Sequence, residues 1–160
     1  MKIKDSGTRR EFETGAVRDV AEGKGREDLL PLKIIGNMTE DYILRAIGNY
    51  VYTGHAPFLH EAIFRFVKNK YLTKWDAWLD VAKHYEAGSA KYPGNNGRNW
   101  ELGIPLHCFI DSGVRHYFKF MRGDDDEPHD RAFLWNMLGA LWTQENKPEM
   151  IDLPFAEVEE

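Results

Sequence analysis

Cysteine is almost absent from this sequence. Cys108 stands alone, which excludes an intramolecular disulfide and a Cys-based zinc cluster. A single thiol agrees with a reducing compartment. Long hydrophobic runs are missing too: no uninterrupted apolar stretch would span a bilayer. The opening residues, MKIKDSGTRREFETGAVRDVAEGKGRED, are charged and lack the apolar segment of a secretory signal. These absences predict a soluble, cytoplasmic protein with no membrane partner. Nor is there an excess of positive charge. The formal net charge is -5, which argues against a nucleic-acid polymer as partner, since that normally needs a basic face. A small anionic substrate stays open, because a bound metal ion can supply positive charge.

What is there suits one helical domain. The 160 residues are 42% hydrophobic and include five Trp, seven Tyr and nine Phe, enough bulk for a real core. The expected fold is all-α, a single-domain bundle of about five helices with an irregular N-terminal arm. Residues 1–31, rich in Gly and charge, read as an extended or partly mobile arm, 32–146 as the helical domain, and 147–160 as an acidic tail. Thr39-Glu40-Asp41 offers a cap for a helix carrying Tyr42, Ile43, Ala46, Ile47 and Tyr50. A second helix spans about 57–70. Thr73 caps a third that runs to about Tyr92, with Trp75, Trp78, Leu79, Ala82 and Tyr85 inward. The turn residues 93–97 break the chain. A fourth helix starts near Pro105 and stops at Gly123, and a fifth opens on Pro128 and runs to about Gln144.

Several polar residues on these helices are candidates for chemistry. Glu86 has Ala82, Ser89 and Ala90 as helical neighbours, which leaves room around its carboxylate; an exposed surface glutamate is the plainer reading. Asp111 and Arg115 are four apart and share a face, so an ion pair is the simple expectation. A carboxylate on so apolar a helix needs a partner, a metal or water. His116 sits among Phe109, Gly113 and Phe120, where a hydrogen-bonded core histidine is the usual role. On the last helix, His129, Ala132, Asn136 and Gly139 form a narrow stripe that suggests a lined interior site. Acidic and His side chains from several helices suit Mg²⁺ or Mn²⁺. Lys91, Arg98 and the Gly/Asn-rich turn suit a triphosphate, though such turns are usually plain loops.

Taken together, certain phrases resemble the phage-associated dATP/dGTP diphosphohydrolase family, related to MazG-like pyrophosphohydrolases. They are Thr14–Asp19, Gly23–Arg26 and Asp28–Pro31, then His84–Lys91 with Tyr92, Asn99-Trp100 and Gly103. Asp111-Ser112, Arg115-His116 and Gly123 follow, and lastly His129 with Trp135-Asn136. Each block is weak and the set is specific. The resemblance implies an all-α, metal-dependent hydrolase, with Mg²⁺ or Mn²⁺ as cofactor, that splits a deoxypurine triphosphate into monophosphate and pyrophosphate. It implies a homo-oligomer as well. Catalysis and metal binding would fall to Glu86, Asp111 and His129. Substrate contacts would fall to Lys91, Arg98, Asn99, Trp100, Arg115, His116 and Asn136. The EExxE and ExxD ligand patterns of MazG-like enzymes are absent, so Asp111, His129 and nearby acids would stand in. Two other readings compete. His129-Asp130 is the dipeptide of HD-type phosphohydrolases, with His84, His107 or His116 to recruit. Alternatively, the bundle is a non-enzymatic interaction or oligomerisation module whose polar residues pair within the core.

Overall fold

The helices begin where the sequence supplies caps. A computed structural model describes residues 2–157. The Asp41 side chain accepts hydrogen bonds from the Ile43 and Leu44 amides and starts α2, Tyr42–Thr53. Thr73 and Asp76 form a reciprocal capping box at the start of α4, Lys74–Lys91. Between them lies α3, Ala56–Lys70. Pro105 precedes α5, Leu106–Arg122, which ends on left-handed Gly123. Pro128 precedes α6, His129–Asn146. Helices α5 and α6 pack most closely, through Phe109, Ile110, Phe133, Leu134 and Met137, all fully buried.

The all-α bundle is as expected, with two corrections. A further helix, α1, Leu32–Thr39, precedes the others. Its interior Gly36 weakens a helix taken in isolation. In the fold that glycine is a contact: a Cβ there would lie 2.5 Å from the Arg45 amide nitrogen, and one at Gly48 would lie 2.4 Å from that of Lys33. So α1 and α2 touch backbone to backbone, which only glycine permits. The second correction concerns α4. Its buried residues are Ala77 and Val81. Trp78 and Tyr85 are half-buried against the core, but Trp75 and Leu79 are 63% and 71% exposed and Ala82 is exposed too. A simple helical stripe could not tell which edge of an amphipathic helix meets α6.

The arm is ordered. Strand β1, Arg9–Glu11, pairs antiparallel with β2, Val17–Asp19, and a 3₁₀ turn follows at Glu27–Leu29. The C-terminal segment is tied down as well. Asp152 accepts a hydrogen bond from the His107 amide (2.9 Å) and pairs with the His107 ring, at the start of α5. That partner, with Cys108 beside it, pushes the His107 imidazole up to about 10.

The sign of the resulting pH dependence follows. A histidine whose folded pKa exceeds its unfolded one stabilises fully below the unfolded value, and the contribution fades as pH rises through the folded value. The unfolding temperature should therefore fall between about pH 6.5 and 10 in the wild type. His107→Gln should remove most of that slope in thermal melts; an unchanged slope would disprove the assignment.

Candidate functional site

A cavity of about 610 Å³ lies between the arm and helices α4, α5 and α6. Its wall carries eight Lys or Arg side chains against four Asp or Glu, in a chain whose net charge is -5. The arm supplies Lys4, Arg10, Arg18 and Lys24. The helices supply Lys91, Arg115 and Lys119, with Arg122 at the end of α5.

The hairpin register sharpens this. Arg10 and Arg18 are direct cross-strand partners, an arrangement that repels unless an anion sits nearby. Arg18 reaches the inner wall, where its guanidinium lies 5.5 Å from the ring centroids of both Phe109 and Trp135. It donates to Asn136 Oδ1 at 3.2 Å, and burial lowers its pKa. Arg10 Nε, Arg18 Nη1 and Arg115 Nε are buried without a hydrogen-bond partner among the described residues. Buried N–H groups are rarely left so, and a group of acceptor oxygens would satisfy them.

A clamp at Asp111 helps to hold the arm over the cavity. Asp111 Oδ1 accepts from the Glu27 amide at 2.7 Å, and Asp111 Oδ2 accepts from Arg115 Nη2 at 2.6 Å. Arg115 Nη2 also lies 3.2 Å from Glu27 Oε2. Asp111 and Arg115 are 5% and 8% exposed, so these charges lie in a low-dielectric setting and need each other. Asn99 makes a second tie: its amide accepts from the Val17 N–H and donates to the Val17 carbonyl, both at 2.7 Å.

At the other end of the cavity two imidazoles meet. His116 Nδ1 lies 2.9 Å from His129 Nδ1, and His129 Nε2 lies 2.7 Å from Asp126 Oδ1. Burial, with His129 alongside, pushes His116 well below the ordinary imidazole range. Burial, then Arg131, lowers His84 on the same wall to about 4. Neutral imidazole is the form that binds metal.

The sequence-derived candidates fall into three sets. Lys91, Asn99, Asp111, Arg115, His116 and Asn136 line the cavity. His129 is 2% exposed directly behind His116. Glu86, Arg98 and Trp100 are not in the lining: Glu86 and Arg98 are exposed, Arg98 pairs with Glu101, and Trp100 packs against Tyr85 and Trp142. Glu86, Asp111 and His129 do not form one ligand group. Among the described residues the groups with ligand atoms within 4.8 Å are His116, Glu127 and His129, and Asp124, Asp126 and His129. Asp130, the other half of the His-Asp dipeptide, points away to Lys70. Sequence reasoning gave no roles to Arg10, Arg18, Lys24 or Glu127. Arg18 and Lys24 do fall within the phrases Thr14–Asp19 and Gly23–Arg26 that carry the family resemblance, whereas nothing in the sequence marked Arg10 or Glu127 individually.

A family model described as dATP/dGTP diphosphohydrolase, N-terminal, matches residues 67–153, more than half of the chain. The match spans α4, α5 and α6 and leaves out the arm. No curated protein and no solved structure matches the chain.

The clamp makes a direct prediction. Asp111→Asn removes one charge from a buried pair, a loss of about 3 kcal/mol. The arm should then be cut by trypsin at Arg18, Lys24 and Arg26 much faster than in the wild type, while helical circular dichroism persists. Equal cleavage rates would show that the clamp does not hold the arm.

Proposed function

The chain belongs to the dATP/dGTP diphosphohydrolase N-terminal family, and from that premise we propose that the cavity binds a deoxypurine nucleoside triphosphate and hydrolyses it to monophosphate and pyrophosphate. The observation that carries this reading is the excess of Lys and Arg in the cavity wall, with three buried guanidinium N–H groups unpaired among the described residues. A triphosphate brings about four negative charges and many acceptor oxygens, the complement of such a wall.

In this reading the arm and helices close on the substrate from two sides. Arg10, Arg18 and Arg115 hold phosphoryl oxygens through fixed N–H donors, while Lys24, Lys91 and Lys119 add point charge. Donors held in place in a water-poor site stabilise charge that grows on the leaving pyrophosphate. Trp135 and Tyr92, both in the wall, offer faces for the base, and Asn136 offers an amide. His116 and His129 are the groups able to hold a divalent ion, with Glu127. Such an ion, when bound, lowers the pKa of water and neutralises phosphoryl charge. Asp111 is a positioning residue, since both of its oxygens are engaged in fixing Arg115 and the arm. Glu86 would reach this chemistry only through movement of α4.

The reading includes a homo-oligomer. Exposed Leu72, Trp75 and Leu79 give apolar surface for one. No helix of the described residues is long and apolar enough to cross a membrane.

The test is a product assay with dATP, dGTP, dCTP and dTTP and a divalent metal, separating pyrophosphate from orthophosphate and tripolyphosphate. Pyrophosphate from the purines is expected. Tripolyphosphate, or no turnover of any nucleotide, would sink the reading. Arg18→Gln should lower kcat/KM by about a hundredfold with little change in melting temperature.

A further inference from the structure

Five glycines lie inside the α-helices, and packing explains four of them. A Cβ at Gly36, Gly48, Gly113 or Gly139 would come within 2.4 to 2.5 Å of an atom on a neighbouring element. Gly88 is the exception. It sits in the last turn of α4, where glycine weakens a helix relative to alanine. Yet a Cβ there would meet nothing within 4 Å apart from the adjoining backbone of its own helix. Gly88 lines the cavity. The fold itself does not need this gap, so the gap serves what enters the cavity.

The surroundings say what that is. His84 and Tyr92 stand four residues before and after Gly88, and all three line the cavity. Ring, gap and ring thus follow one face of α4, over about 12 Å at 1.5 Å per residue. On α6, Trp135 closes this side, its ring centroid 6.1 Å from that of His84. A phosphate gains little here. Backbone N–H groups inside a helix are already bonded, and the Gly88 carbonyl accepts from the Tyr92 amide at 2.8 Å. The last turn of a helix also carries partial negative charge. Lys91 is turned to the arm, where it bonds the Lys4 carbonyl and Asp19. The gap offers a flat surface flanked by aromatic rings, the complement of a planar, uncharged ring.

Such a ring also needs a polar partner for its edge. Asn136 has little left to give: its amide N–H groups go to Ala132 and Ser112, and Arg18 takes one lone pair of its oxygen. His84 is uncommitted. Its Nδ1 is buried without a hydrogen-bond partner among the described residues. A neutral imidazole offers one donor and one acceptor, the same two functions that base edges carry. Resting on the nucleotide reading, we infer that the nucleobase subsite of the cavity lies over Gly88, between His84 and Tyr92, and that His84 reads the hydrogen-bonding edge of the base.

The experiment separates base from phosphate. The probes are dATP and dGTP analogues with a methylene bridge between the α and β phosphorus atoms, which resist loss of pyrophosphate, and inorganic tripolyphosphate, which has no base. Binding of each to the full chain is measured by calorimetry with Mg²⁺. Gly88→Leu should weaken the purine analogues by at least about tenfold and leave tripolyphosphate unchanged. Gly88→Ala should raise the melting temperature and still weaken the analogues, an opposition that a merely structural glycine would not show. His84→Phe keeps a ring and removes its nitrogens; it should cost the analogues about tenfold and spare tripolyphosphate. Should Gly88→Leu fail to fold, Gly88→Ala decides in its place. Unchanged analogue affinity in the Gly88 variants, or equal losses for analogues and tripolyphosphate, overturns the subsite and leaves the nucleotide reading standing. A wild type that binds neither kind of probe sinks both.

Discussion

The buried pair of Asp111 and Arg115 is the constraint on which the rest of the cavity depends. Neither charge is stable alone in the interior, and together they leave one carboxylate oxygen and part of the guanidinium free to grip the arm through the Glu27 amide, its carboxylate and the Gly25 carbonyl. That grip turns a polar N-terminal segment into a wall. Without it α4, α5 and α6 would present an open groove with fewer cations. The arm brings Arg10, Arg18 and Lys24, and so most of the difference between a groove and a phosphate-sized enclosure.

Much of the helical frame was legible in the sequence, because it is written in local chemistry. Asp41, Thr73, Pro105, Gly123 and Pro128 mark helix ends through side-chain caps, fixed φ and left-handed backbone, and the structure uses every one of them. Helix α1 escaped because Gly36 weakens a helix taken alone and strengthens it only against α2. The exposed stripe of Trp75 and Leu79 escaped because periodicity gives a face, whereas the neighbour that covers it is a tertiary fact.

The site was legible in part. Asp111, Arg115, His116, His129 and Asn136 were singled out as polar residues on apolar helices, and they do gather around one cavity. Which of them act together was beyond one-dimensional reasoning. His116 and His129 are 13 residues apart across a turn, and Glu127 sits in an acidic run with no periodicity to single it out. Asn99 stood out as a substrate contact, yet its amide is already committed to both polar groups of Val17. The arm's arginines carried no periodic signal, since three-residue strands are too short to show one.

That facing pair of arginines, Arg10 and Arg18, has a thermodynamic consequence under the nucleotide reading. Each repels the other across the hairpin, so the strain falls between the two strands of the arm. A polyanion between them reverses the sign of that force. The hairpin is then tightened by its own cargo: triphosphate binds the two strands together, and as charge departs with pyrophosphate the same two side chains loosen them. Stiffening and loosening of this wall would share one mechanism, with no separate signal required of the helices.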